Sequence, residues 1–193
     1  AKFRVFKMLR PLNIYGNIVA YMADQEWIIP TCGRLLFAAT LFMYFINSGL
    51  TKIGQGFSGA LSPSMGAYVQ ILPKAFEAAG YDPSGLGMLQ HIIVYAGILA
   101  EFILPVLIVL GLFTRIAALG LIVFVMVQSF TDVFGHGQVD ALGGWFDRFP
   151  DSTILDQRSF WVFVLLTLVI KGGGPFAVDR LAGLRPSRLQ NAL

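Results

Sequence analysis

The sequence is short of charge. Asp, Glu, Lys and Arg make up only 13% of its 193 residues, against about 25% in an ordinary soluble domain. Cysteine is nearly missing as well. The single Cys32 excludes an internal disulfide and a cysteine-held metal or iron–sulfur cluster. Two histidines, His91 and His136, leave the chain short of ligands for haem or a multi-histidine metal centre, so no covalently bound cofactor is expected. A strong excess of one charge sign is also lacking. Fourteen basic and 11 acidic residues give +3, with no basic stripe that would track a nucleic acid groove.

Apolar residues are in surplus: 56% of the chain, with a mean hydropathy of +0.70. Four stretches approach the roughly 20 helical residues that cross about 30 Å of hydrocarbon. The first runs from about Ile28 to Leu50 and includes the uncharged run Leu35–Ile46. The second runs from about Leu86 to Phe113, interrupted by His91 and Glu101, and the third covers Ile116–Phe134 with Asp132 as its only charge. The fourth, Ser159–Ile170, reaches bilayer length only by borrowing Thr153–Arg158 or Gly172–Val178. Strand-like alternation is absent, which disfavours a barrel. A spanning segment must satisfy its own backbone, so helices are the default. The expected fold is all-α: an integral membrane four-helix bundle over residues 27–181, whose primary partner is the lipid bilayer.

Lys2, Arg4, Lys7 and Arg10 resemble a charged leader, but Pro11, Asn13 and Asn17 break any apolar core behind them. Residues 1–26 read instead as a basic amphipathic segment on the membrane surface, and residues 182–193 as a tail. Nine Lys and Arg residues flank the spans on the side of the termini and the short second connection, against four in the long connections. That asymmetry predicts both termini in the cytoplasm, with the chain in a bacterial inner membrane. The long connections carry their own signals. Residues 66–79 read as a helical piece interrupted at Pro73, followed by a turn-rich return over Gly80–Gly87. Trp145, Phe146 and Phe149 lie among glycines and aspartates, which suits the interfacial zone. Both connections are expected to cap the bundle along the outer leaflet.

Arg34 and Glu101 are the charges that most need an explanation. By helical rise Arg34 lies about 9 Å inside the first stretch and Glu101 about 18 Å inside the second. A charge at such depth costs about 2.5–3.5 kcal/mol on insertion scales. Pairing Arg34 with Glu101 across the first two helices is the economical solution. Pro105, four residues after Glu101, removes the donor for the Glu101 carbonyl and predicts a bend beside it. Two readings follow: a polar pocket for a proton, an ion or a quinone carbonyl, or a pair that only sets helix register. His91, Asn47, Lys52 and Arg115 are further candidates for a quinone site. His91 has a suitable titration range. Asn47 suits helix-to-helix hydrogen bonding, and Lys52 is expected to snorkel to the interface. Asp132, His136 and Asp140 are spaced by four as metal ligands on a helix would be, but Gly135 and Gly137 argue for a solvated loop and no metal.

Three motifs occur in order: Arg34 with SGLTKI over Ser48–Ile53, AEFILPVLIVLGLFTRIAAL over Ala100–Leu119, and KGGGPFAVDRL over Lys171–Leu181. Together they resemble the DoxX-like family of small four-helix membrane proteins. Pro175 and Asp179 match the family's closing Gly-Pro-Gly…Asp pattern. Phe176 and Ala177 depart from its usual more polar pair, and connections 55–85 and 135–158 are long for it. The resemblance implies a membrane subunit accompanying redox enzymes, as in a thiosulfate:quinone oxidoreductase, and brings no shared catalytic residue set. The expected function is therefore an accessory subunit of a quinone-linked respiratory or photosynthetic electron-transfer complex, with other redox subunits as partners. It lacks the ligands to be the redox catalyst alone. The alternatives are an assembly protein without chemistry and, less favoured for want of an internal repeat, a small transporter.

Overall fold

A computed structural model describes residues 14–54 and 62–183. Among these there are four helices long and apolar enough to span a bilayer: Ile28–Leu50, Met88–Leu110, Thr114–Gly135 and Thr153–Lys171. The only β feature among the described residues is one isolated bridge, Ile53 with Pro63. The chain is an all-α membrane bundle.

Local chemistry explains where the spans end. The second stops at Leu110, three residues earlier than its apolar run, because Gly111 adopts the left-handed conformation (φ 72°) that commonly closes a helix. The fourth extends backwards rather than forwards. Ser152 accepts the Asp156 N–H and caps a π-turn over Thr153–Gln157, whereas Gly172 and Gly174 at φ 81° and 80° end the helix at Lys171. The second span is helical without interruption through Pro105.

Each span packs on its neighbours in chain order, and the fourth closes against the first. The first span divides its contacts. Its early half, Ile28–Thr40, lies mainly on the fourth, and its later half, Phe42–Leu50, mainly on the second. Phe37, Phe45, Ile108, Leu121, Leu165 and Leu168 fill the middle. The outward faces are apolar too: Leu35, Ile116, Met126, Phe160 and Phe163 are all exposed. Apolar faces on both sides of a helix require a solvent that is itself apolar, so the bundle contacts lipid.

Charge marks the two ends. Arg115, Lys171 and Asp179 lie at the end where the first span begins and the fourth stops, the terminal end, and Asp132 and Arg158 at the loop end. From Arg115 to Asp132 the third span rises about 25 Å at about 1.5 Å per residue, close to the thickness of a hydrocarbon core. Residues 14–24 are helical and exposed throughout. The basic residues expected on a surface segment, Lys2 to Arg10, lie outside the described residues, as do Arg185 and Arg188.

The first long connection forms two short helices, Met65–Ile71 and Pro73–Ala78. Proline at position 73 starts the second of these, which is where its missing N–H is harmless. They bury Ala67, Tyr68 and Phe76 against Val94 and Ile98 of the second span. In the second connection Phe146 is fully exposed, and the Trp145 indole donates to the Leu155 carbonyl at 3.0 Å.

Candidate functional site

Glu101 does not pair with Arg34. Its Oε1 instead accepts from Lys52 Nζ at 3.0 Å and from the Ser48 hydroxyl at 3.0 Å. The reason is axial register. The first span sits displaced toward the terminal end, so that its last turn, and not its middle, lies level with Glu101. Gly49 makes the approach possible, since a Cβ there would lie 2.8 Å from the Phe102 ring. The two short helices of the first connection then occupy the space beside the outer half of the second span.

Lys52 turns inward instead of snorkelling. Its ammonium donates to Glu101 Oε1, to the Ser48 carbonyl at 3.1 Å and to the Ser48 hydroxyl at 2.8 Å. Three donors meet three acceptors. The Lys52 and Glu101 side chains are 6% and 3% exposed. Glu101 lies about 14 Å from Leu110 and about 20 Å from Met88 by helical rise, so the pair sits near mid-bilayer. One valence stays open: Glu101 Oε2 is buried and has no hydrogen-bond partner. The cluster is electrically neutral, with a single unmet acceptor.

Arg34 belongs to a second cluster at the terminal end. Its Nη2 donates to the Phe176 carbonyl at 3.0 Å, and its Nη1 is buried without a partner. Beside it, Asp179 accepts from the Phe113 N–H at 2.6 Å and from the Thr114 N–H and hydroxyl at 2.9 and 2.8 Å. A carboxylate there satisfies orphan donors and complements the positive end of the third span. The Asp179 N–H in turn donates to the Gly111 carbonyl at 2.9 Å. This closing motif is a clasp that ties the segment around Phe176 and Asp179 to the turn between the second and third spans. Arg115 joins it through a bond to the Val169 carbonyl at 3.1 Å, well away from Glu101.

The other candidates separate. His91 Nδ1 lies 2.9 Å from the Tyr68 hydroxyl. Burial, then the neighbouring Tyr95, raises the Tyr68 phenol above its ordinary value. A raised phenol keeps its proton more tightly in the folded state, so its contribution is present at neutral pH and lost as pH climbs past about 10. Thermal stability of the purified protein should therefore fall more steeply above that pH than in Tyr68→Phe, as melting curves across the range would reveal. Asn47 faces outward. Asp132 pairs with Arg158 at 2.6 Å, His136 Nε2 lies 3.1 Å from the Gln70 carbonyl, and Asp140 is exposed. A π-turn over Thr131–Gly135 breaks the helical spacing that would have aligned these three. No group of three potential metal ligands occurs among the described residues.

Ser48 and Arg158 are the polar partners not anticipated from sequence. The signal for Ser48 was its four-residue spacing from Lys52, which places both on one helical face.

Neither a search of curated proteins nor a search of solved structures finds a match. The DoxX family model matches residues 29–133, from the start of the first span to the end of the third, across both the Arg34 and the Ser48–Lys52–Glu101 positions. The chain belongs to the DoxX family.

Proposed function

We propose that this protein is the membrane-embedded accessory subunit of a quinone-linked electron-transfer complex, and that Ser48, Lys52 and Glu101 form its proton-handling site. The observation that carries the reading is the open acceptor at Glu101 Oε2, held near mid-bilayer beside a buried ammonium. A polar atom left bare in a low-dielectric interior is costly; Arg34 Nη1, Gln128 Oε1 and Arg158 Nε are also buried and unmet, but of these four Glu101 Oε2 alone is a carboxylate oxygen that can take up a proton. An atom left unmet in an otherwise saturated cluster suits a partner that comes and goes.

The residues fit a quinol hydroxyl better than a quinone carbonyl. Lys52 has no donor to spare for a carbonyl, whereas Glu101 Oε2 is an acceptor that needs an O–H. A quinone couple carries two electrons and two protons through the hydrocarbon. Glu101 would take the proton from the hydroxyl, and Lys52 would then be left as the positive charge balancing the deprotonated oxygen. Ser48 fixes Glu101 Oε1 so that Oε2 remains the reactive side. Electrons pass to a partner's cofactor, because this chain has too few ligands of its own. The same proposal sets the chain in a bacterial inner membrane with both termini cytoplasmic, supported by the Lys and Arg asymmetry of the connections.

Glu101→Gln keeps the shape of the side chain and removes the base. Membranes carrying it should oxidise a short-tailed benzoquinol about 100-fold more slowly or worse than wild type, the usual scale for loss of a general base. Because Glu101→Gln also leaves the buried Lys52 ammonium without its counter-charge, turnover is expressed per amount of folded chain in the membrane, and the rate per folded chain is what should fall. Wild-type turnover in Glu101→Gln membranes would mean that the pair only sets helix register.

A further inference from the structure

We propose that two copies of this chain associate in the membrane through the outward face of the first span, with Asn47 of each copy hydrogen-bonded to its counterpart. The inward face of that span carries Phe37, Leu41, Phe45 and Gly49, all buried. The opposite face carries Leu36, Thr40, Met43, Asn47 and Leu50, all exposed. Their spacing alternates four and three, which is the seam of a left-handed helix pair. Leu36, Met43 and Leu50 are 50%, 55% and 51% exposed. Apolar exposure of this kind is what lipid asks for and identifies no partner. Asn47 does.

Asn47 precedes Ser48, whose hydroxyl bonds Glu101, so its amide lies at the same mid-bilayer level. Its neighbour on the seam is satisfied, since the Thr40 hydroxyl donates to the Leu36 carbonyl at 2.7 Å. The Asn47 side chain has no hydrogen bond within the described residues. Acyl chains offer neither donor nor acceptor at that depth, so its two N–H groups and its oxygen must find another protein group.

A second copy meets this need more directly than an unrelated helix. Copies inserted in the same direction can share only a two-fold axis along the membrane normal, which makes their first spans parallel and places like residues opposite one another. An amide is both donor and acceptor, so Asn47 is complementary to itself. One such polar residue in an apolar seam is also the device that fixes register and copy number in helix pairs. Met43 and Leu50 would pack one step to either side.

Single-cysteine variants of the full chain, made on Cys32→Ser and oxidised in native membranes, test this. Met43→Cys should form a disulfide-linked product of twice the 21.1 kDa chain mass, and Met126→Cys, exposed on the third span, should not. Asn47→Leu should weaken association on dilution into excess lipid by about three- to twentyfold, the measured range for membrane hydrogen bonds of this kind. Absence of the product with Met43→Cys, equal products at both positions, or unchanged association of Asn47→Leu would overturn the proposal. A cross-linked product of another mass would assign the seam to a different polypeptide and overturn it equally.

Discussion

Replacing Lys52 with Met is expected to cost about 3–5 kcal/mol, because removing one member of a buried ion pair leaves the other charge uncompensated. Glu101 would then keep a single hydrogen bond, from the Ser48 hydroxyl, with no counter-charge in contact. Taking away both charges, as Lys52→Met with Glu101→Leu, should recover most of the loss. The apolar double replacement of a buried pair is often neutral, or even stabilising by about 1–4 kcal/mol. Unfolding of the purified protein by denaturing detergent, measured for both single variants and the double, gives the coupling directly. A loss in the double variant equal to the sum of the two single losses would show that the two charges are not energetically linked. The same series separates function from architecture. If the double variant is as stable as wild type and yet inactive toward quinol, the charges are kept for chemistry.

The second large effect is expected at Gly111. Its backbone is left-handed at φ 72°, which costs an L-residue about 1–2 kcal/mol. A Cβ would in addition lie 2.3 Å from Arg34 Nη1 and 2.7 Å from the Ala177 Cα. The arginine tip can swing aside, but the backbone at Ala177 cannot, as it belongs to the clasp that Asp179 holds closed. Gly111→Ala should therefore lose about 3 kcal/mol or more, in the class of overpacking combined with backbone strain. Gly80→Ala provides the comparison. That residue has nearly the same φ, 66°, with nothing within 4 Å of the added atom, so it carries the conformational cost alone, about 1–2 kcal/mol. Paired melting curves should show Gly111→Ala falling much further. Similar shifts for the two would mean that the clasp yields without resistance.

Particular residues show how far the sequence could be read. The spans were legible because the run of apolar residues needed to cross hydrocarbon is a local property that counting recovers. Their ends were less so. Phe113 looked like the close of the second span, yet Gly111 ends it, since a left-handed glycine overrides three further apolar residues. Burial of Glu101 followed from its depth, and so did the need for a partner of opposite sign. Choosing Arg34 as that partner assumed that two antiparallel helices of similar length lie side by side, end to end. They are offset, because Gly49 lets Phe102 come close and the short helices around Ala67 and Phe76 take the place that a longer first span would have filled. Asp132, His136 and Asp140 failed as a set for a similar reason, once the π-turn at Thr131 changed their relative directions.

Length and composition were enough to establish a lipid-facing helical bundle and to identify which charges must be sheltered inside it. Which cation shelters Glu101 depended on the folded arrangement. Periodicity along a helix reports the angle of a side chain about the axis. It carries no information on how far one helix slides against the next, which is set by contacts between residues distant in the chain. A slide of a few turns moved the guanidinium of Arg34 into a clasp at the bundle's end and brought the ammonium of Lys52 to the carboxylate.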